Sequence, residues 1–432
     1  MKKIASLALA ILMVVGLFSG CNKNPTTTKN ENITLHVLTH WTNLTTTDLK
    51  TFADSFKKKT GITVVYEAIT DYDDTAKTRL SSDNYGDVLE IPNGVPNSDL
   101  GLFFTKLGKN TDSDIKDFSF TDATGKAVKN SDGTYNVYGI TYGLGLEGAV
   151  YNKAVFTKAG ITSFPKTVDE MYADAPKLKT AGAVPLATNF AAKWTLSQYS
   201  TLAQQAADDP NYWNTMYQQT DPFSADKPYG QVMAMLDKFV SSGWVEKDLT
   251  TTDWEQSKAD CGSGKTAMMF LGTWAISQVQ GAATNKDDIG FAPIPVNNSG
   301  NLTSVAGADY FMGVSNKSKY QAAAREYVFD FLNSSFAADE GFAPVSKTVK
   351  STNPAIKAFL DTGVKIIYPV VGTTGKEFDN YTKIANDASI DFWGGAFLQP
   401  VCLAALQGQT QYSASVNLLN KAWDAAKTKN GF

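Results

Sequence analysis

Histidine and cysteine are nearly missing from this chain of 432 residues. There are 2 histidines, His36 and His40, and 3 cysteines, Cys21, Cys261 and Cys402. So few histidines exclude a multi-histidine metal site. So few cysteines exclude a disulfide framework; Cys261 and Cys402 either pair in an oxidising compartment or stay as buried free thiols. An excess of one charge is missing too. The 39 basic and 43 acidic residues leave a net charge of −4, spread without long runs. Nucleic acid wants a basic face, so it is not an expected partner. No G-x-S-x-G elbow and no H-E-x-x-H pair occur. Repeats of solenoid period are absent. Beyond the N-terminus no segment is long and apolar enough to span a bilayer, which takes ~20 residues.

What is present begins with "MKKIASLALAILMVVGLFSGCNKN". Lys2 and Lys3 precede an apolar run from Ile4 to Phe18, and Ser19-Gly20 precede Cys21. Positive start, short apolar run and small residues at the cleavage point read as a secretory signal over 1–20. A cysteine right after Ser-Gly resembles the bacterial lipoprotein box, in which that cysteine carries the lipid; Phe18 stands where that pattern usually has Leu. Residues 21–32, "CNKNPTTTKNEN", then read as a lipidated Cys21 and a polar tether. The rest is expected to be extracytoplasmic. About 400 residues are too many for one ordinary domain, so two or three lobes are expected.

Two motifs invite an enzyme and fail. Gly264-Lys265-Thr266 looks like the end of a phosphate loop, but the first glycine should stand at 259, which is Ala259. The loop should also follow a strand and open a helix; here it follows a predicted helix and opens the apolar strand "TAMMFLG". Ser55-x-x-Lys58, Lys59-Thr60-Gly61 and Ser82-Asp83-Asn84 are the signatures of penicillin-binding enzymes, in the wrong order and with two crowded onto one amphipathic helix. "DYDD" (Asp71–Asp74) lacks the glycine and glutamate of a calcium loop and reads as acids at a helix start. No metal and no cofactor are expected.

The elements alternate. "ITLHVLTHW" (Ile33–Trp41) reads as a strand, and "TTTDLKTFADSFKKKTG" as a helix with Leu49, Phe52, Ala53 and Phe56 on one face and Gly61 as its stop. "ITVVYEAI" is a second strand, "TAKTRLSS" a short helix, and "DVLEI" a third strand ending at Pro92-Asn93-Gly94. That order predicts a parallel sheet covered by helices. The pattern recurs. "GAVYN" (148–152) and "VPLAT" read as strands around a helix with a capping box at Thr167 and Glu170. Helices are expected at 195–207, 230–242 and 253–260. "TAMMFLG", "IGFAPIPV" and "ADYFMGVS" (308–315) read as strands before a helical tail. Two α/β lobes follow, and ligands of open α/β sheets sit at the carboxyl ends of strands.

Aromatics make up 12% of the chain, with 8 Trp and 18 Tyr. Trp41 ends the first strand, Tyr72 lies beyond the second, Trp274 follows the "TAMMFLG" strand and Tyr310 starts another. Trp194 and Trp393 lie in helix–loop regions. Any one of these is more often core than ligand platform. Several Trp beside Asp or Asn at loop mouths suit one task well, holding a sugar: its C–H face stacks on indole and its hydroxyl rim meets carboxylates and amides.

Four blocks resemble the family 1 extracellular solute-binding proteins, the carbohydrate receptors of ABC importers. "VYNKAVFTKAGITSFPKTVDEM" (150–171) is similar to that family's Y-N-K…F-x-K-A-G…P-x-T-x-x-E signature. "GKTAMMFLGTWAI" (264–276) is similar to its G-K-x-A-M-x-x-x-G-x-W block. "SKYQAAAREYVFDFL" (318–332) and "ALQGQTQYSASVNLLNKAWDAA" resemble later helices. The family's usual Phe before Gly-Lys has no match here, and its usual Trp after P-x-T is Val168. The resemblance implies a two-lobe periplasmic-binding-protein-like fold of type II, with a sugar cleft at a hinge. It divides the chain into an N-lobe, 33–142 plus about 303–340, and a C-lobe, about 143–302 plus 341–432. It implies that Trp274 stacks on sugar, and that Trp41, Asp309, Tyr310 and the loop after "DVLEI" line the cleft. Asp71, Tyr72, Asn93, Trp194 and Trp393 join that set, with Glu147, near the first crossing, as a polar ligand contact. The partners it implies are a carbohydrate, the permease subunits of an ABC importer and, through Cys21, the cell membrane; a monomer is expected. Two alternatives stay open: a secreted glycoside hydrolase with two carboxylates roughly 5–10 Å apart, and the same fold binding another solute.

Overall fold

The computed structural model describes residues 32–42, 44–116, 118, 125–349, 353–370 and 376–432. The expected signal segment, Cys21 and the tether up to residue 31 lie outside the described residues.

The first sheet is built around the strand Thr34–Thr39. It pairs in parallel with Thr63–Ala68 on one side and Val88–Ile91 on the other. Helices Asp48–Thr60 and Tyr72–Ser81 make the returns that parallel neighbours require. The first helix buries Leu49, Ala53, Phe56 and Thr60, one stripe at three- and four-residue spacing. It stops at Gly61, whose φ of 83° is the left-handed cap that glycine adopts without strain, and whose N–H bonds Lys57 O. Two antiparallel strands widen the sheet: Phe311–Ser315 beside Val88–Ile91, and Tyr135–Thr141 beside Phe311–Ser315.

The second sheet is built around Gly143–Asn152. Thr266–Gly272, Ile289–Ala292 and Thr303–Ala308 all run antiparallel to it, and Val184–Ala187 runs parallel to Thr266–Gly272. Helices Val168–Thr180, Gln198–Ala207, Pro228–Ser241, Leu398–Gln407 and Gln409–Lys429 cover one face in a continuous apolar core. The helix at 168–180 starts as expected: Thr167 Oγ1 accepts the Glu170 N–H at 3.1 Å. The Glu170 carboxylate reaches back to the Lys166 N–H at 2.7 Å, one residue earlier than an ideal capping box.

The chain passes between the sheets on very short links. Thr141 ends a strand of the first sheet and Gly143 begins one of the second, leaving only Tyr142 between. The return runs through Asp309 and Tyr310. Residues 308–315 were expected as one strand and are two: Thr303–Ala308 bonds in the second sheet and Phe311–Ser315 in the first. Thr303–Ala306 and Met312–Ser315 are buried at every position, so no polar–apolar alternation marks the change of sheet. The return therefore falls at 309–310 rather than near 303. A third passage lies between Val345, in the first core, and Ile356, in the second.

Cys261 and Cys402 are free and buried, in different apolar clusters. Burial pushes both thiols up to about 12, so they stay protonated and inert. The Gly-Lys-Thr motif follows helix Trp254–Gly262 and enters strand Thr266–Gly272, the reverse of a phosphate loop. Lys265 is exposed and pairs with Asp260 at 3.1 Å. Among the described residues no helix is long and apolar enough to cross a membrane, and no cluster of His, Cys, Asp or Glu could hold a metal ion.

Candidate functional site

One wall grows from the carboxyl ends of the first-sheet strands. Thr39 and His40 end the first strand and reach Glu90 on its neighbour. Thr39 Oγ1 donates to Glu90 Oε1 at 2.8 Å, and the His40 N–H donates to Glu90 Oε2 at 2.7 Å. The His40 ring meets that same Oε2 through Nδ1 at 2.8 Å, while its Nε2 lies 3.6 Å from Asp309 Oδ2. Asp309 sits on the second crossing and accepts the hydroxyl of Tyr142, the first crossing. Tyr142 in turn accepts the Trp41 indole N–H at 3.1 Å. Burial disfavours charge on His40, but the Glu90 and Asp309 carboxylates outweigh it and raise its pKa to about 9. The His40 ring thus stands between two carboxylates, hydrogen-bonded to Glu90 and in ion-pair range of Asp309. Burial raises Asp309, and the His40 charge offsets part of that.

The wall continues outward. Tyr72 donates to Glu90 O at 2.7 Å. Asp73 accepts the Tyr310 hydroxyl at 3.1 Å and holds Asn93 through its backbone N–H, 2.7 Å, and its side-chain amide, 3.2 Å. The rings of His40 and Tyr310 lie 4.7 Å apart, those of Tyr72 and Tyr310 5.1 Å.

The second sheet contributes indoles. Trp194, Trp254 and Trp274 form a triangle with ring centroids 5.1, 5.6 and 6.1 Å apart and mutual tilts of 54–79°. All three are half-buried. Trp274 lies flat over the exit of its strand. A Cβ on Gly272 would meet its Nε1 at 2.4 Å, and one on Gly145 its Cδ1 at 3.1 Å, so two glycines make room for one indole. Trp274 also packs against both the first-sheet and the second-sheet cores. One face of Trp254 is covered by Lys258, whose Nζ stands 5.2 Å from the ring centre and is neutralised by Glu255 at 2.8 Å.

Glu147 is set beside this triangle. It stands opposite Gly272 in the antiparallel register, two residues beyond Gly145. Its side chain therefore projects from the sheet face on which Trp274 lies. Glu147 is 5% exposed, and its Oε1 has no hydrogen-bond partner. Burial alone pushes its carboxyl well above the usual range.

Of the ten ligand-site residues expected from the sequence, Trp41, Tyr72, Asn93, Asp309 and Tyr310 share the first wall. Trp194, Trp274 and Glu147 share the second. Asp71 is exposed just before the helix, and its near neighbour Asp73 makes the wall's hydrogen bonds. Trp393, 43% exposed, stacks at 5.0 Å on Trp213 rather than on the triangle. Sequence reasoning passed over His40, Glu90, Asp73, Tyr142 and Trp254. Trp254 carried a usable signal, a tryptophan directly after the Asp253 cap of a helix that leads into the G-K…G-x-W block. A surface hollow of ≈ 470 Å³ between Lys158 and Thr180 gathers none of these groups.

Taken together, the walls offer half-buried indole faces, carboxylates that accept, and imidazole, amide and hydroxyl groups that orient. That is the makeup of a small-molecule site for a ligand with an apolar face and a polar rim. Known proteins agree with the architecture. The chain shares 24% identity with the "Multiple sugar-binding protein" of Streptococcus mutans, over 76% of this chain and 77% of that one. A binding protein of an ABC transporter from Bifidobacterium animalis subsp. lactis, solved in complex with mannobiose, superposes with a TM-score of 0.82 at 28% identity, covering 94% of this chain and 98% of that one. A manno-oligosaccharide specific solute binding protein from the same organism, solved with mannotriose, gives 0.82 at 28% identity, covering 92% and 95%. The family model described as bacterial extracellular solute-binding protein matches residues 42–338. This two-lobe α/β chain belongs to the bacterial extracellular solute-binding protein family.

Proposed function

We propose that the protein is an extracytoplasmic receptor that binds an oligosaccharide between its lobes and delivers it to an ABC importer. The observation that carries this is the Trp194–Trp254–Trp274 triangle beside a buried, unpartnered Glu147. Indoles take the C–H faces of pyranose rings, and Glu147 takes a hydroxyl. The opposite wall supplies Trp41, Asp309, Tyr310 and Asn93, with Asp73, Glu90 and His40 added to the expected set. Tyr72 supports the first wall from behind through Glu90, Asp71 lies exposed beside it, and Trp393 stands apart on Trp213. Manno-oligosaccharides of two and three units are the first ligands to try, given the two Bifidobacterium relatives.

In this reading Cys21 carries a lipid that holds the receptor at the membrane, and residues up to 32 are its tether. The first lobe comprises 33–142 and the segment from 311 to about 340; the second comprises 143–308 and the C-terminal part. The receptor works as a monomer, closes on its ligand by a hinge at the crossings, and performs no chemistry on it. The test is a fluorescence and thermal-shift panel of mono- and oligosaccharides, followed by chromatography of the bound sugar. Quenching of indole emission with the sugar recovered intact is the expected result. No response to any sugar overturns the ligand class, and a shortened product overturns the receptor reading in favour of a glycoside hydrolase.

A further inference from the structure

The three tryptophans come from separate parts of the chain, yet one buried residue touches all three supporting segments. Asn189 is 1% exposed and takes a left-handed backbone, φ 51° and ψ 39°. Its carbonyl accepts from Thr195 Oγ1 at 3.0 Å, the residue next to Trp194. Its side-chain Oδ1 accepts the hydroxyl of Ser257, one helical turn beyond Trp254. Its side-chain amide points to Met269 Sδ at 3.6 Å, on the strand that exits through Gly272 to Trp274. Its own N–H is held by Glu246 Oε1 at 2.8 Å, and the same carboxylate takes Thr188 Oγ1 at 3.0 Å. A second tie joins the same loops, Ala191 N–H to Thr252 Oγ1 at 2.8 Å.

Few other residues suit that position. A left-handed backbone strains most side chains, and asparagine and glycine tolerate it best. Glycine would keep the backbone and lose both side-chain contacts. The strain does not end there. Lys193, directly before Trp194, holds φ 62° and ψ −60°, a conformation that persists only when its surroundings enforce it. The enforcement visible here is the set of bonds gathered at Thr188, Asn189 and Thr195.

We propose that Asn189 is the positioning residue of the tryptophan triangle. It holds the segments of Trp194 and Trp254 at one spacing, set against the strand that presents Trp274, and so fixes the shape of the platform on which the ligand lies. Asn189 touches no ligand itself. The proposal rests on the triangle being the ligand platform, and it adds what keeps that platform in register before ligand arrives. Preorganisation of this kind raises affinity by removing the cost of ordering the site during binding.

The experiment compares Asn189→Gly and Ser257→Ala with the parent protein and with Met235→Ala, a core truncation on a helix outside the network. Two readouts are taken on each: near-ultraviolet circular dichroism, which reports coupling between close indoles, and mannotriose affinity by calorimetry. Both network variants are expected to lose the same part of the indole signal and to bind about tenfold more weakly. The double variant is expected to be no worse than Asn189→Gly alone, because Asn189→Gly already removes the bond that Ser257→Ala removes. Met235→Ala is expected to lower thermal stability while leaving both readouts at parent values. Unchanged dichroism and affinity in Ser257→Ala overturn the proposal, whether or not Asn189→Gly folds. Equal changes in Met235→Ala also overturn it, since general loosening then explains them. If the parent itself binds no mannotriose, the ligand reading fails on its own, and the dichroism alone decides the brace.

Discussion

The Trp41 indole N–H donates to the Tyr142 hydroxyl at 3.1 Å, tying the end of the first strand to the single residue on which the chain crosses between sheets. Tyr142 passes the contact on by donating to Asp309, on the return crossing. Two of the chain's passages are thus joined by one phenol that is 1% exposed. Tyr142→Phe keeps the ring and its packing against Phe331, Phe336 and Phe342. It leaves the Trp41 N–H and the Asp309 carboxyl each short of a partner. A loss of about 1–3 kcal/mol in unfolding free energy is expected from chemical denaturation, with weaker sugar binding through the displaced Asp309.

A buried carboxyl ahead of the third passage carries a pH response. Glu340 is 6% exposed and accepts the Ser277 hydroxyl at 3.2 Å from a helix of the second core. Burial, then the nearby Asp48 carboxylate, raises its pKa to about 7 from 4.5, with Asp339 adding to the rise and the Ser277 bond opposing it. Between those values the folded state holds a proton that the unfolded chain has released. Stability therefore falls as pH rises from about 4.5 to 7 and levels above it, by roughly 3 kcal/mol from this group. Glu340→Gln is expected to remove that part of the slope. Denaturation midpoints at pH 5 and pH 8 check it: the variant gains on the parent at pH 8 and not at pH 5.

Truncating the triangle separates its members. Trp274→Ala is expected to weaken sugar binding by roughly 1–3 kcal/mol, the scale of a lost aromatic contact. It also lowers stability, because this indole packs on both cores. Trp254→Ala should give a comparable loss of affinity with a smaller loss of stability, since Trp254 packs only on the second-sheet side. Calorimetry alongside thermal melts distinguishes the two effects.

The anchor is tested apart from the fold. Expressed in a bacterial host with its leader, the parent is expected in the membrane fraction with a lipid mass on Cys21, and Cys21→Ala in the soluble fraction. Sugar affinity should be the same in both if, as proposed, Cys21 serves only to anchor the chain.

Much of this was legible because its cause is local. The β-α-β start follows from alternation in 34–39 and 63–68, a helical stripe from Leu49 to Phe56, and a glycine stop at Gly61. The failed phosphate loop was legible for the same reason, since Ala259 and the helix-to-strand order are properties of neighbouring residues. Long-range pairing was not. His40 and Glu90 come from different segments of the chain, and nothing in either announces that an imidazole will stand between Glu90 and Asp309. The sheet change at Asp309–Tyr310 was hidden because both flanking strands are short and buried on both faces, so neither carries an alternation whose break could be read. Trp393 and Trp254 show the limit for single aromatics: both flank helices, and only packing separates the one stacked on Trp213 from the one in the triangle.

The central claim is that the indole triangle holds an oligosaccharide. The most direct measurement is calorimetric titration of mannotriose into the full mature protein, repeated on Trp274→Ala. Micromolar or tighter one-to-one binding by the parent, weakened about tenfold or more in the variant, is the expected result. Equal affinity in the two proteins would contradict the account.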